Sequence, residues 1–222
     1  MGSDEVFAAL VERIEVLRGG HPTRVAIDGI TGAGKTTFAA GLVAVLRCRG
    51  RVVIPVTMDG FHHPRAVRYR QGRGSADGYY EDAYDVAAIR RELLDPLGLD
   101  GDGRFRTAVI DLASDVAVDD PPIAADPGAV LVVDGSFLQK PALRDGWDLV
   151  VYLQASFEAA EARGARRDAD LLGGIDAARS AFRTRYHQAQ RRYLAECDPE
   201  SQADVVIDVE DPTSPAWVRS TT

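Results

Sequence analysis

The run Gly29-Ile30-Thr31-Gly32-Ala33-Gly34-Lys35-Thr36 fits the pattern G-x-x-x-x-G-K-[ST]. Its chemistry is phosphate binding. Glycines at 29, 32 and 34 let the backbone wrap closely, so that successive N–H groups point at phosphate oxygens. A helix beginning near Lys35 adds its positive dipole end. The Lys35 ammonium is placed to reach β- and γ-phosphates, and the Thr36 hydroxyl to ligate Mg²⁺. Gly29, Thr31, Gly32, Ala33, Gly34, Lys35, Thr36 and Thr37 are therefore the candidate contacts for a nucleotide such as ATP.

Two carboxylates stand where such a site would use them. Asp59, in Thr57-Met58-Asp59-Gly60-Phe61-His62-His63-Pro64, lies just past a short apolar run. At that edge of an open parallel sheet it can accept a proton from an attacking hydroxyl or join a Mg²⁺ shell. Asp134 closes the apolar run Val132-Val133 and is followed by Gly135, as a strand-ending carboxylate facing a metal would be. The metal candidates are thus Thr36, Asp59 and Asp134. No N-K-x-D guanine motif is present, which argues against a GTP switch.

Arg163 and Arg167 fall four residues apart, on one face of an expected helix with Arg166 alongside. Phosphoryl transfer needs cations that approach the migrating group, often from a mobile element. Residues 170–174, ending in two glycines, would supply its flexible part. Arg65, Arg68, Arg70 and Arg73 crowd one loop and could attract an anion. His62 and His63 are adjacent, so an extended segment points them to opposite sides. They lack metal-ligand spacing, and His62 is at most a substrate contact.

These residues must be held by the rest of the chain. Apolar residues at helical spacing predict a helix over residues 4–18, and others over 35–47, 86–94, 157–168 and 175–194. Apolar runs predict strands over 24–28, 52–57, 129–133, 149–153 and 203–208. Residues 105–110 and 114–118 read as a hairpin carrying Arg106 and Asp111, and 60–80 as a long functional loop. Alternating strands and helices imply an α/β fold with a mainly parallel sheet covered on both faces. Residues 1–210 read as one domain, with a lid over roughly 163–185, and 211–222 as a fraying tail.

The chain has 222 residues, with 45% apolar, 27% charged and a net charge of −8. That balance argues against nucleic acid or anionic membrane as a partner. Two well-separated cysteines suggest neither a disulfide framework nor a zinc site, so a reducing cytoplasm is expected. No stretch is long and apolar enough to span a membrane, and the N-terminus lacks a basic, then apolar, leader.

Over residues 22–208 these segments together resemble the uridine kinase, phosphoribulokinase and pantothenate kinase family of P-loop kinases. The resemblance rests on the phosphate loop, on Asp59-Gly60-Phe61-His62-His63-Pro64, on Gly78-Tyr79-Tyr80-Glu81-Asp82-Ala83-Tyr84-Asp85, on Asp134-Gly135 where the family usually has Glu-Gly, and on the arginines after residue 162. It implies a P-loop NTPase three-layer sandwich with a substrate-binding hairpin and an arginine-bearing lid. It further implies ATP, Mg²⁺ and a small-molecule alcohol as ligands. By the resemblance Asp59 is the general base, and Asp82 holds sugar-like hydroxyls beside Tyr79 and Tyr80. Arg163 and Arg167 then neutralise the migrating phosphoryl group, and Arg106 and Asp111 line the acceptor pocket. Ile110-Asp111-Leu112-Ala113-Ser114-Asp115 lacks the His and Arg with which the family's pyrimidine kinases read the base. A nucleoside-like acceptor is the first expectation. A sugar, pantothenate or another alcohol, or a non-catalytic nucleotide-dependent regulator, is the alternative.

Overall fold

A computed structural model describes residues 3–17 and 19–221. Its centre is a six-stranded sheet in the order β10-β9-β8-β1-β7-β2. The strands are β1 (Thr23–Gly29), β2 (Val53–Thr57), β7 (Val130–Asp134), β8 (Leu149–Gln154), β9 (Val205–Asp208) and β10 (Ala216–Ser220). The five strands from β2 to β9 in this order run parallel, and β10 is antiparallel to β9.

Strand alternation divides the core. Val25, Ile27, Val130, Val132, Val151 and Ile207 face α1 (Ser3–Val16) and α2 (Lys35–Cys48). Ala26, Leu131, Val133, Val150 and Val206 face the opposite layer, which includes Ile89, Leu93 and Trp147. That layer holds α5 (Val86–Ile89), its π-helical continuation Arg90–Leu94, and α6 (Pro141–Arg144). Near-continuous apolar strands read this way because both sheet faces are covered. The fold class is the expected α/β three-layer sandwich with a mainly parallel sheet.

Four expectations are revised. Residues 211–222 do not fray as a whole, because Ala216–Ser220 adds β10 to the sheet edge. Its alternating exposure fits an edge strand with one wet face, which is why its apolar content was too low to read as a core strand. The 60–80 loop is structured: a 3₁₀ turn (Met58–Phe61) leads to α3 (Arg65–Arg68) and α4 (Ala76–Asp82), the latter capped by the Ser75 hydroxyl on the Gly78 N–H.

The hairpin is built from very short pieces, with β4 (Ile110–Asp111) on β5 (Val116–Ala117) and β3 (Arg104–Phe105) on β6 (Ile123–Ala124). Lastly, residues 175–194 are α8 (Ile175–Ala181), one π-helical turn (Phe182–Tyr186) and α9 (His187–Cys197), followed by the short α10 (Pro199–Gln202). The first helix was expected over 4–18, and residue 18 lies outside the described residues. Among the described residues no helix is long and apolar enough to cross a membrane.

Candidate active site

The sheet register assembles the centre of the site. Ile27 of β1 is level with Asp134 of β7, and Asp134 is level with Thr57 of β2. The phosphate loop after β1, the Asp134 carboxylate and Asp59 two residues beyond Thr57 therefore share the carboxyl edge of three adjacent strands, where open parallel sheets bind ligands.

The loop itself is shaped by backbone that only glycine adopts without strain. Gly32 has φ +92°, and a Cβ there would lie 2.3 Å from the Ala160 carbonyl oxygen of α7 (Phe157–Leu172). Gly34, at φ 99° and ψ 20°, is the residue from which α2 starts. Lys35 Nζ curls back to donate to the Gly29 and Ile30 carbonyls, each at 2.9 Å. Burial lowers its pKa to about 8, against the opposing pull of Asp28 and Asp134. Thr36 Oγ1 donates to Asp134 Oδ2 at 2.6 Å. Thr31 Oγ1 lies 3.4 Å from the Tyr79 hydroxyl and accepts from Gln190 Nε2 at 3.1 Å. Ala33 is buried, and Thr37 is exposed in the first turn of α2.

Asp59 is exposed at the carboxyl edge of the sheet, its side chain 63% accessible. Desolvation raises its pKa first, and the Asp134 charge adds to the rise, while Lys35 and Arg167 pull the other way. Burial likewise raises Asp134 against its Thr36 hydrogen bond. These couplings place Lys35, Asp59, Asp134 and Arg167 in one electrostatic unit. His62 Nδ1 stands 4.0 Å from Asp59 Oδ1, and its ring packs on Tyr84 with centroids 4.3 Å apart. His63 goes the other way, to Asp85 at 3.8 Å.

Several expected site residues are held elsewhere. Arg163 donates from Nε to the Gly32 carbonyl at 3.2 Å and from Nη1 to the carbonyls of Val209 and Glu210 at 3.1 and 3.0 Å. It braces the phosphate loop from behind, because α7 packs against that loop at Ala160. Arg167 lies nearer the cleft but is paired with neighbouring Asp168 at 2.7 and 2.8 Å. Both oxygens of buried Asp82 are taken by Arg70, and Gln71 adds a bond of 2.8 Å, so no oxygen is free of protein donors for a sugar hydroxyl. The Tyr80 hydroxyl donates to Glu196 at 2.9 Å, away from Tyr79 and the loop.

Arg106 is bound to Glu92 at 2.5 Å and to the Asp120 carbonyl at 2.7 Å, while Asp111 caps its own turn through Ser114. The hairpin residue that meets the Arg65–Arg68 helix is Asp115. It accepts 3.0 and 3.1 Å bonds from the Arg65 N–H and a 2.7 Å bond from Arg68 Nη1.

Tyr84, Arg185 and the buried carboxylate Asp28 also belong to this region without having been expected there. The last accepts from Gly29 N–H, Gln139 and Tyr193 at 2.8, 3.0 and 2.5 Å and fixes the base of the phosphate loop. Asp28 directly precedes the glycine loop, which was its one visible signal. Tyr84 belonged to a quoted motif but was given no role. Arg185 had no local signal, since only the π-helical turn aims it.

Among the described residues no group of three or more His, Cys, Asp or Glu side chains is arranged to hold a metal ion. A Thr36–Asp134 pair beside a phosphate cradle fits Mg²⁺ all the same, because that ion keeps waters and takes phosphate oxygens alongside one or two carboxylates.

No family model and no curated protein sequence matches the chain. Solved structures do. A possible uridine kinase from Bacillus stearothermophilus is 24% identical with a TM-score of 0.71, the alignment covering 91% of this chain and 97% of that one. A candidate fructose transport system kinase from Silicibacter sp. TM1040 is 25% identical with a TM-score of 0.70, covering 88% and 95%. D-glycerate 3-kinase from Cryptococcus neoformans is 10% identical with a TM-score of 0.57, covering 97% and 99%. The chain has the fold of the P-loop kinases. Within that class it is similar in structure to uridine kinase-like proteins.

Proposed function

We propose that this protein is an ATP-dependent phosphotransferase acting on a hydroxyl of a small molecule. The observation that carries this reading is the position of Asp59. A pure nucleotide sensor needs Lys35, Thr36 and Asp134, but it has no use for a second carboxylate at the open end of the neighbouring strand. With ATP bound, the loop N–H groups and Lys35 hold the β- and γ-phosphates, and Thr36 with Asp134 holds Mg²⁺, which neutralises charge developing on the phosphates. Asp59 takes the proton of the attacking hydroxyl, its raised pKa making it a better base than an ordinary carboxylate. Arg167 leaves Asp168 to meet the transferring group, and the segment 163–185 closes over it as a lid.

The test is ADP release from ATP and Mg²⁺ across nucleosides, sugars, hydroxy acids and sugar phosphates. One acceptor class is expected to stimulate turnover. Tight ATP binding with no acceptor-dependent turnover would instead mark the chain as a nucleotide-dependent regulator.

A further inference from the structure

We propose that Arg185 forms an anion subsite beside Asp59, so that the acceptor is an alcohol carrying a carboxylate or phosphate. This rests on the phosphotransferase reading of the same cleft.

Arg185 lies on the π-helical turn Phe182–Tyr186. Extra-residue turns of this kind redirect side chains and recur at functional sites. The turn is wedged against the phosphate loop, since a Cβ on Gly164 or Gly32 would lie 2.1 or 3.2 Å from the Phe182 ring. Its guanidinium carbon stands 5.5, 5.1 and 5.0 Å from the ring centres of Tyr69, Tyr79 and Tyr186. Those rings shield the cation from water without neutralising it. Its polar contact is a long 3.5 Å approach of Nη1 to the Tyr186 hydroxyl, and Nε is buried with no partner.

Among the described residues no carboxylate lies within ion-pair distance of Arg185. Arg68, Arg70, Arg167 and Arg183 each have a carboxylate, whereas Arg185, like Arg73 on the same Tyr69 ring, has an aromatic contact instead. In a chain of net charge −8, an arginine without one is not explained by a shortage of acids. A half-buried cation stacked on aromatic rings, with no carboxylate of its own, is open to a ligand anion.

A second orphan lies close by, linked through the rings of Tyr84 and Tyr79. His62 Nδ1 is buried without a hydrogen-bond partner, 4.0 Å from Asp59. Its ring nitrogen can bond a hydroxyl, leaving the anion to the arginine. Tyr79 links the subsite to the donor side, its ring under Arg185 and its hydroxyl 3.4 Å from Thr31 Oγ1. The planar guanidinium fork matches carboxylate and phosphate equally.

The test pairs anionic alcohols with neutral counterparts: glycerate against glycerol, and ribose 5-phosphate against ribose. Binding to the protein saturated with a non-hydrolysable ATP analogue is measured by calorimetry, and turnover by ADP release. One anionic probe is expected to bind at least about tenfold tighter than its neutral counterpart. Arg185→Gln is expected to weaken that probe about 10- to 100-fold, with ATP affinity and melting temperature unchanged. Which pair responds identifies carboxylate or phosphate. Equal binding of charged and neutral probes overturns the subsite, and turnover of a neutral alcohol would then leave the phosphotransferase reading intact. Loss of ATP affinity in Arg185→Gln also overturns it, assigning the arginine to the donor. Selective anion binding without turnover upholds the subsite and counts against phosphotransfer.

Discussion

Thr36 Oγ1 donates a 2.6 Å hydrogen bond to Asp134 Oδ2, tying the first turn of α2 to the end of β7. The bond commits the hydroxyl hydrogen to the carboxylate and leaves the oxygen lone pairs free to ligate a metal. Asp134→Asn keeps the shape and removes the charge. It is expected to weaken Mg²⁺–ATP binding about 10- to 100-fold while leaving metal-free ATP binding nearly unchanged. Calorimetry with and without chelator measures both, and equal losses would rule out the metal role.

Arg163 and Arg167 share a helix and were expected to share a task, yet the first is bonded to three backbone carbonyls and the second is paired with Asp168, its charge felt by Lys35 and Asp59. Their alanine variants should therefore fail differently. Arg163→Ala removes the bonds to the Gly32, Val209 and Glu210 carbonyls and is expected to cost about 1–3 kcal/mol of stability, with weaker ATP binding. Arg167→Ala is expected to keep its melting temperature and ATP affinity and to lose about 10³-fold or more in kcat. Thermal melts beside steady-state kinetics separate the two, and the reverse pattern would exchange the assignments.

The contrast shows where sequence reading succeeds and stops. The β1–α2 loop was legible because its glycines, Lys35 and Thr36 all lie within eight consecutive residues. The strands were legible because β7 and β8 are apolar on both faces. Helical spacing placed Arg163 and Arg167 on one face correctly, but could not reveal that Ala160 abuts Gly32 and so aims Arg163 at carbonyls. Arg106 and Asp111 looked like pocket residues until their partners, Glu92 and Ser114, were in place. Arg185 was hidden for a related reason: its surroundings come from Tyr69 and Tyr79, more than a hundred residues earlier.

Lys35 makes a pH prediction. Burial lowers its pKa to about 8 in the absence of ligand, and bound phosphates raise it, so ATP binds the protonated form. ATP affinity is therefore expected to be flat below pH 8 and to weaken up to tenfold per unit above it, until the bound-state pKa is reached. Lys35→Met should bind ATP weakly with no such slope. A flat wild-type profile to pH 9.5 would show that the ammonium does not meet the phosphates.

Asp59 makes the sharpest one. Desolvation and the nearby Asp134 charge raise its pKa above the ordinary carboxylate value, and a general base works only when deprotonated. The rate should therefore rise with pH through that raised pKa, giving kcat/KM for the acceptor an acid limb displaced above the ordinary carboxylate range. Asp59→Asn cannot take the proton. It is expected to lower kcat about 10²- to 10⁴-fold, to change ATP affinity less than about threefold, and to abolish the acid limb in whatever activity is left. Lys35 and Arg167 remain in place in this variant, so phosphate binding provides an internal control. If kcat and ATP affinity fell together, Asp59 would belong to the metal shell; if the acid limb survived, the titrating base would be another group.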